Sequence, residues 1–263
     1  MRENNREVRQ LVKKLDRDFA FGDFSGSNLG DESVLMTEIQ GRTFVIPPKC
    51  QYFCGDVSQI QDRLKGNRYD IVLMDPPWEN KHISRLQKRR KCLEGLASTP
   101  SGYATMSNSD LFSTLPVKQL LSETGVVIVW CTNSKRHIQR LTEAMEESWG
   151  VTLSAVWFWL KVTRSGEPVC ALDPHHNKLP YERLLVAEKI PSDAVKQSDG
   201  SVIVSVPSAI HSHKPPLDKV LYDLGMEDKK RRLEIFGRYL QPNWTTYGDQ
   251  VLKLQEMHYF SKS

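Results

Sequence analysis

The sequence predicts an α/β fold in which a mostly parallel sheet carries helices on both faces. Residues 71–74 form an apolar, β-branched run without polar alternation, which is typical of a parallel strand that is buried on both faces. Similar short runs alternate along the chain with segments of helical period. At 263 residues, the chain is long enough for one substantial core and within the range of a single α/β domain.

The N-terminal stretch predicts a helix followed by a loop. In residues 7–19, apolar side chains recur with a 3.6-residue period between Arg and Lys, as in an amphipathic helix. Residues 21–32 are rich in Gly, Ser, Asn and Asp, which predicts a loop or linker. We therefore expect residues 1–48 to be an N-terminal helix and loop that pack on a catalytic domain formed by residues 49–263.

The alternating pattern continues from there to the end of the chain. A strand at residues 52–57 should stop at Gly55 and Asp56, followed by a helix with Ile60 and Leu64 on one face, and then by the strand that leads to Asp75. Further strands are predicted at residues 126–130, 155–160, 184–187, 202–206, 233–236 and 245–247. Helices are predicted at residues 134–148 and 216–224.

The strand before Asp75 brings a carboxylate, two prolines and an indole to one point, and in open α/β sheets ligands bind at the carboxyl ends of strands. The exocyclic amine of adenine is a poor nucleophile because its lone pair is delocalised into the ring. A carboxylate from Asp75 and the carbonyl of Pro76 could together favour a pyramidal nitrogen, since Pro76 and Pro77 each fix φ at about −65°. Trp78 offers a flat face on which a base can stack. The alternative interpretation is a Pro-Pro loop in which Trp78 only fills the core.

Asp75-Pro76-Pro77-Trp78 resembles the signature of the DPPW-type N6-adenine methyltransferases, the family that includes the eukaryotic messenger-RNA adenosine methyltransferase. Residues 211–215 (His-Ser-His-Lys-Pro), 234–238 (Glu-Ile-Phe-Gly-Arg) and 241–244 (Gln-Pro-Asn-Trp) resemble later motifs in the family's order. The resemblance covers residues 52–252 and is strongest to the methyltransferase-like-four branch. It implies a single Rossmann-like methyltransferase domain that uses S-adenosyl-L-methionine.

The resemblance also implies a circularly permuted order of motifs, and no Gly-x-Gly-x-x-Gly lies near the start of the chain. The glycine turn for the cofactor would be residues 234–238. Asp249 and Gln250 would bind the two ribose hydroxyls, which are donors and acceptors at once. The alternative is that these are ordinary loop residues. The full set of implied cofactor contacts is Asp56, Val57, Asp75, Lys214, Arg238, Asn243, Asp249 and Gln250.

Residues 81–91 form the most basic segment of the sequence. We predict that Lys88, Arg89, Arg90 and Lys91 hold phosphates of a nucleic acid, a contact that positions a strand without reading its sequence. The alternative is a solvated helix face. The resemblance adds Tyr103, Lys161 and His213 as substrate-binding residues, and it places Asn177 and Glu182 in a motif-like stretch without an assigned role.

Composition narrows the class of protein. The net charge of +4 and pI of about 8.7 allow a nucleic-acid partner. The five cysteines are odd in number and contain no Cys-x-x-Cys pair, which argues for reduced thiols rather than a disulfide framework. The histidines at 175, 176, 211 and 213 lack the thiolates and regular spacing of a zinc site, so we predict no metal. No apolar run approaches the roughly 20 residues of a membrane span, and no signal peptide is visible.

The expected function is therefore N6-adenine methylation of a nucleic acid. The branch resemblance implies RNA, with 2′-O-methyladenosine in a small nuclear RNA as the target, and a nuclear location, with the cytosol as the alternative and secretion excluded. The sequence itself implies no membrane partner and no obligate partner subunit. The alternatives are a DNA N6-adenine methyltransferase and a catalytically silent RNA-binding scaffold. The intact Asp75 and Pro76 favour an enzyme.

Overall fold

The computed structural model describes residues 22–31, 33–78, 108–172, 179–208, 210 and 213–260. The strands are β1 (Phe24–Asn28), β2 (Leu35–Ile39), β3 (Arg42–Ile46), β4 (Cys50–Cys54), β5 (Tyr69–Met74), β6 (Leu121–Cys131), β7 (Thr152–Lys161), β8 (Tyr181–Glu188), β9 (Val202–Ser205), β10 (Arg232–Ile235) and β11 (Trp244–Gly248). The helices are α1 (Ile60–Arg63), α2 (Asn108–Thr114), α3 (Val117–Leu120), α4 (Lys135–Ala144), α5 (Asp193–Gln197) and α6 (Asp218–Asp223), and α4 continues as a π-helical turn (Met145–Trp149). Single 3₁₀ turns lie at Val57–Gln59 and Met257–Tyr259.

One nine-stranded sheet, in the order β1-β4-β11-β10-β5-β6-β8-β7-β9, forms the centre of the molecule. Its five neighbouring strands β4, β11, β10, β5 and β6 are parallel. Antiparallel strands flank them, with β1 beside β4 and β8 beside β6. Beyond β8, β7 is antiparallel to it and β9 is parallel to β7, while β2 and β3 form a separate hairpin. The predicted α/β fold with a mostly parallel sheet is confirmed.

The sheet also has the permuted order that the resemblance implied. A classic doubly wound sheet has its strands in the order 3-2-1-4-5. Here β4, β11, β10, β5 and β6 occupy those five positions. The two strands at positions 1 and 2 therefore come from the end of the chain, which accounts for the lack of a glycine motif near the start.

Helices cover both faces of the sheet, and the alternation of side chains along β6 shows how. Val127 and Val129 point to one core, which also contains apolar side chains of α1, α2, α3 and α4. Ile128 and Trp130 point to the other core, which α5 and α6 cover. Every residue of β6 from Gly125 to Cys131 is buried, as expected for a strand with apolar contacts on both sides. No helix in the ranges described above is long and apolar enough to cross a membrane.

The N-terminal prediction was wrong in one respect, because β1 lies inside the predicted loop of residues 21–32. β1 is an edge strand that pairs with β4, and a Cβ on Gly26 would come within 2.4 Å of the Tyr52 hydroxyl oxygen. Glycine and serine lower β propensity, so the strand depends on backbone pairing that composition does not reveal. The β2–β3 hairpin was not predicted either, and it buries Phe44 and Ile46 against Leu252. The predicted helix at residues 7–19 lies outside the described residues.

Candidate active site

The carboxyl ends of the parallel strands meet at one edge of the sheet, which we call the carboxyl edge. Predicted site residues follow four neighbouring strands there: Asp56 after β4, Asp249 after β11, Arg238 after β10 and Asp75 after β5. Strand β7 runs in the same direction and ends at Lys161, whereas β8 runs in the opposite direction and begins there. The permuted chain thus places residues from its two ends side by side.

Asp75 lies at the centre of this edge between two cations. Its Oδ1 is 3.7 Å from Nζ of Lys214, and its Oδ2 is 3.8 Å from Nη1 of Arg238. Burial raises the pKa of the Asp75 carboxyl above its usual value, and the charges of Lys214 and Arg238 counteract part of that rise. The Asp75 side chain is 15% exposed, so the carboxylate is only partly buried and lies between two cations.

Glu182 joins this cluster from β8. Its two carboxylate oxygens accept hydrogen bonds from the ammonium groups of Lys161 and Lys214. Burial alone would raise the pKa of Glu182, but Lys214 and Lys161 together lower it. The two ammonium groups also lie over indole rings: Lys161 Nζ is 4.6 Å from the Trp159 ring centre and Lys214 Nζ is 5.1 Å from that of Trp130. Lys214 thus bridges Glu182 and Asp75.

The turn after β5, residues 75–78, is anchored through its tryptophan. The indole N–H of Trp78 donates to the carbonyl oxygen of Trp130 at 2.9 Å. Its ring stacks on His137, with centres 4.9 Å apart and planes 20° apart, and meets Phe112 edge-on at 5.5 Å. Pro76 is buried within the turn. A base-stacking role for Trp78 stays a prediction.

The turn after β10 passes very close to β11. Phe236 has a left-handed backbone (φ 68°), and a Cβ on Gly237 would lie 2.3 Å from Cγ2 of Thr246. Glycine is therefore required at 237 if the turn is to follow β11 at this distance. This close approach delivers Arg238 to the carboxyl edge.

The predicted adenine and ribose positions lie at the next two strand ends. The Asp56 side chain is exposed and accepts a hydrogen bond from the backbone N–H of Ser58 at 2.8 Å, while Val57 is buried in the core. Burial raises the pKa of Asp249 to about 6, and Arg238 opposes that rise. Gln250 follows directly and is half-buried.

Other predicted residues fall at different places. His213 meets the ring of Tyr239 edge-on at 4.7 Å, beside Lys214, and burial lowers the pKa of His213. Asn243 is not brought to the carboxyl edge: it precedes β11 at the opposite end of that strand, and its N–H donates to the carbonyl of Lys49. A five-residue strand is roughly 15 Å long, so β11 separates Asn243 from Asp249 by about that distance. Tyr103 and residues 88–91 lie outside the described residues.

Glu182 is the site residue whose role the sequence did not reveal. A single acid at the start of a strand carries no pattern, and its partners Lys161 and Lys214 are far away in the chain. Glu234 is a second acidic residue whose surroundings the sequence did not reveal. It is fully buried in β10 and accepts a hydrogen bond from Nε2 of Gln241 at 3.0 Å, and burial raises its pKa to about 7.

A profile of the MT-A70 family matches residues 69–250. The chain belongs to the MT-A70 family. The match begins with β5 and ends at Gln250, so it spans Asp75, Glu182, Lys214, Arg238 and Asp249. MT-A70 methyltransferases use S-adenosylmethionine as methyl donor. The family expected from the DPPW stretch is thereby confirmed.

The proteins to which the chain is similar support its place in the methyltransferase-like-four branch. The chain is 35% identical over 237 residues to "N(6)-adenine-specific methyltransferase METTL4" of Mus musculus, covering 86% of this chain and 46% of that protein. It is 34% identical over 221 residues to "N6-methyladenosine RNA methyltransferase MTA1" of Cryphonectria parasitica, covering 82% and 62%. It is 29% identical over 239 residues to "DNA N6-methyl methyltransferase" of Caenorhabditis elegans, covering 89% and 60%. The chain thus spans about half the length of the METTL4 relatives that it matches.

The described residues contain no group of three or more His, Cys, Asp or Glu side chains placed to hold a metal ion. The charged groups of this MT-A70 chain at the carboxyl edge are instead arranged as pairs of opposite sign. Such an arrangement can bind a zwitterionic ligand and a polar amine side by side.

Proposed function

We propose that this chain is an S-adenosylmethionine-dependent adenine-N6 methyltransferase. The observation that carries the proposal is the position of Asp75: a partly buried carboxylate at the end of β5, followed by two prolines and flanked by Lys214 and Arg238. An acid–amide pair, Asp249 and Gln250, lies two strands away at the same edge.

The residues present fit the cofactor. Asp249 and Gln250 offer a carboxylate and an amide to two ribose hydroxyls, and Asp56 with the backbone of Val57 would meet the adenine. Lys214 or Arg238 supplies a cation for the carboxylate of the methionine part. When bound, the cofactor supplies an electrophilic methyl group on a sulfonium, and transfer of that group needs no metal.

The target amine would then lie against the turn after β5. Asp75 and the carbonyl of Pro76 accept hydrogen bonds from the two N–H groups of the amine, which favours a lone pair directed away from the ring. The prolines keep these acceptors in place because their φ angles are fixed. Preorganised acceptors of this kind need no rearrangement as charge develops on the nitrogen.

For the substrate, we propose RNA, with 2′-O-methyladenosine in a small nuclear RNA as the target, and a nuclear location. The resemblance to the methyltransferase-like-four branch and the RNA named for the MTA1 relative support RNA. DNA is the second candidate, supported by the name of the Caenorhabditis elegans relative. A silent scaffold is disfavoured because Asp75 and Pro76, the acceptors proposed for the target amine, are intact.

Methyl transfer by the purified chain to three oligonucleotides of matched sequence tests the proposal. One contains adenosine RNA, one has 2′-O-methyladenosine at the target and one is DNA. Transfer to N6 in any of them, lost in Asp75→Ala, supports the enzyme, and the order of their kcat/KM values identifies the substrate. If none is methylated while the chain binds the cofactor, the proposed function is wrong.

A further inference from the structure

The catalytic turn is joined to the neighbouring strand by a closed set of contacts. Trp78 donates its indole N–H to the Trp130 carbonyl oxygen near the end of β6 and stacks on His137 in α4. Nδ1 of His137 lies 2.7 Å from Oγ1 of Thr132, the first residue after β6. The hydroxyl of Thr132 also accepts the backbone N–H of Ser134 at 3.4 Å. The contacts thus run from β6 through Trp78 and His137 back to the end of β6.

This set of contacts fixes the direction of the turn that carries Asp75 and Pro76. Pro76 and Pro77 have little conformational freedom, so the orientation of Trp78 is passed back along the turn to its acceptors. One face of the Trp78 indole is already stacked on an imidazole. The hydrogen bond to Thr132 in turn fixes the imidazole plane. The indole therefore acts as a support for the turn.

We propose that His137 and Thr132 are positioning residues for methyl transfer: through Trp78, they hold Asp75 and the Pro76 carbonyl against the target amine. This inference rests on the proposed function. It assigns to Trp78 a structural role in the turn instead of a stacking role towards the base. A displacement of about 1 Å at a reacting group can cost about a hundredfold in rate. Residues that hold the turn in place can therefore govern kcat without touching the substrate.

Steady-state kinetics at saturating cofactor test the inference, with the oligonucleotide that the parent chain methylates fastest as substrate. We expect His137→Ala to lower kcat by about tenfold to a hundredfold, with the KM for the oligonucleotide and the Kd for the cofactor changed by less than about twofold. His137→Phe keeps a flat ring under the indole but lacks the hydrogen bond to Thr132, so its kcat should lie between those of the parent and His137→Ala. Thr132→Val removes the hydroxyl and should lower kcat, whereas Thr132→Ser should not.

His258→Ala is the matched control, because His258 also meets an aromatic ring, that of Tyr259 at 4.0 Å, but lies on the segment that pairs with β3. It should leave all three constants unchanged. An unchanged kcat in His137→Ala overturns the inference, as does a raised KM with unchanged kcat, which would place the two rings at the base. If His137→Ala unfolds at a lower temperature than the parent, the comparison of kcat between Thr132→Val and Thr132→Ser decides instead. Equal kcat in these two variants overturns the inference. Absence of turnover by the parent chain on every oligonucleotide overturns the proposed function, and this inference with it.

Discussion

Asp249 should make cofactor binding depend on pH near neutrality. Burial raises the pKa of its carboxyl to about 6. With that pKa, roughly one tenth of the carboxyl groups are ionised at pH 5 and roughly nine tenths at pH 7. The ionised form is the better acceptor for ribose hydroxyls, and a hydrogen bond to a charged group contributes about 1.5–3 kcal/mol. Because the ionised fraction limits the apparent affinity, the Kd for S-adenosylmethionine should fall by about six- to tenfold between pH 5 and pH 7.

Two variants isolate this effect when Kd is measured by calorimetry at pH 5, 6 and 7. Asp249→Asn keeps a polar group of the same shape but does not titrate, so the contribution of residue 249 to the pH dependence should disappear. Asp249→Ala lacks the hydrogen bond at every pH and should bind about tenfold to a hundredfold more weakly at pH 7. A pH dependence of the same size in parent and Asp249→Asn, or an unchanged Kd in Asp249→Ala, refutes the ribose assignment.

Three further predictions concern the chemistry, the core and the nucleic acid. Asp75→Ala should abolish transfer while leaving the cofactor Kd within a few fold, and equal loss of both in calorimetry and turnover would assign Asp75 to the cofactor or to folding. The pKa of Glu234 is about 7 in the folded state, against an ordinary value of 4.5. The folded state therefore binds the proton more tightly, and the free energy of unfolding falls as the pH rises from 4.5 to 7. In denaturant titrations, Glu234→Gln should therefore gain roughly 3 kcal/mol over the parent between pH 4 and pH 8, and a constant difference would contradict the buried carboxyl. Replacing all four basic residues at 88–91 with Ala should weaken binding to matched and scrambled strands alike, with a salt slope lowered by roughly 0.7 per lost contact to single strands, whereas parallel salt slopes would indicate a solvated face.

The sequence predicted the parallel core of the fold because each of its strands carries its own signal. The apolar run before Asp75 lies where the structure has β5, and the strand predicted at residues 233–236 overlaps β10. Strand β1 carries no such signal, since its residues are small and polar and its pairing with β4 is made by the backbone. Sequence patterns report side-chain burial, so an edge strand with alternating exposure is harder to predict than a buried one.

The charge cluster at the site could be predicted only in part, for a different reason. Asp75, Lys214 and Arg238 belong to motifs that the sequence displays. The link between Lys161 and Glu182 depends on the antiparallel pairing of β7 and β8, which puts Trp159 opposite Glu182. Pairing of distant strands is a property of the whole sheet, and no spacing within the chain encodes it. The same holds for His137, which reaches Trp78 through the packing of α4 on the sheet.

Arg238 shows why the order of the strands in the sheet matters more than their order in the chain. Parallel strands are usually joined by a crossover of a dozen or more residues with a helix, but residues 236–243 join β10 to β11 without one. The left-handed Phe236 and the tightly packed Gly237 make this short path possible. As a result, the guanidinium lies 3.8 Å from Asp75 and also counteracts the raised pKa of Asp249. One cation therefore acts on the carboxylate proposed for the target amine and on the one proposed for the cofactor ribose, which joins the two binding events electrostatically.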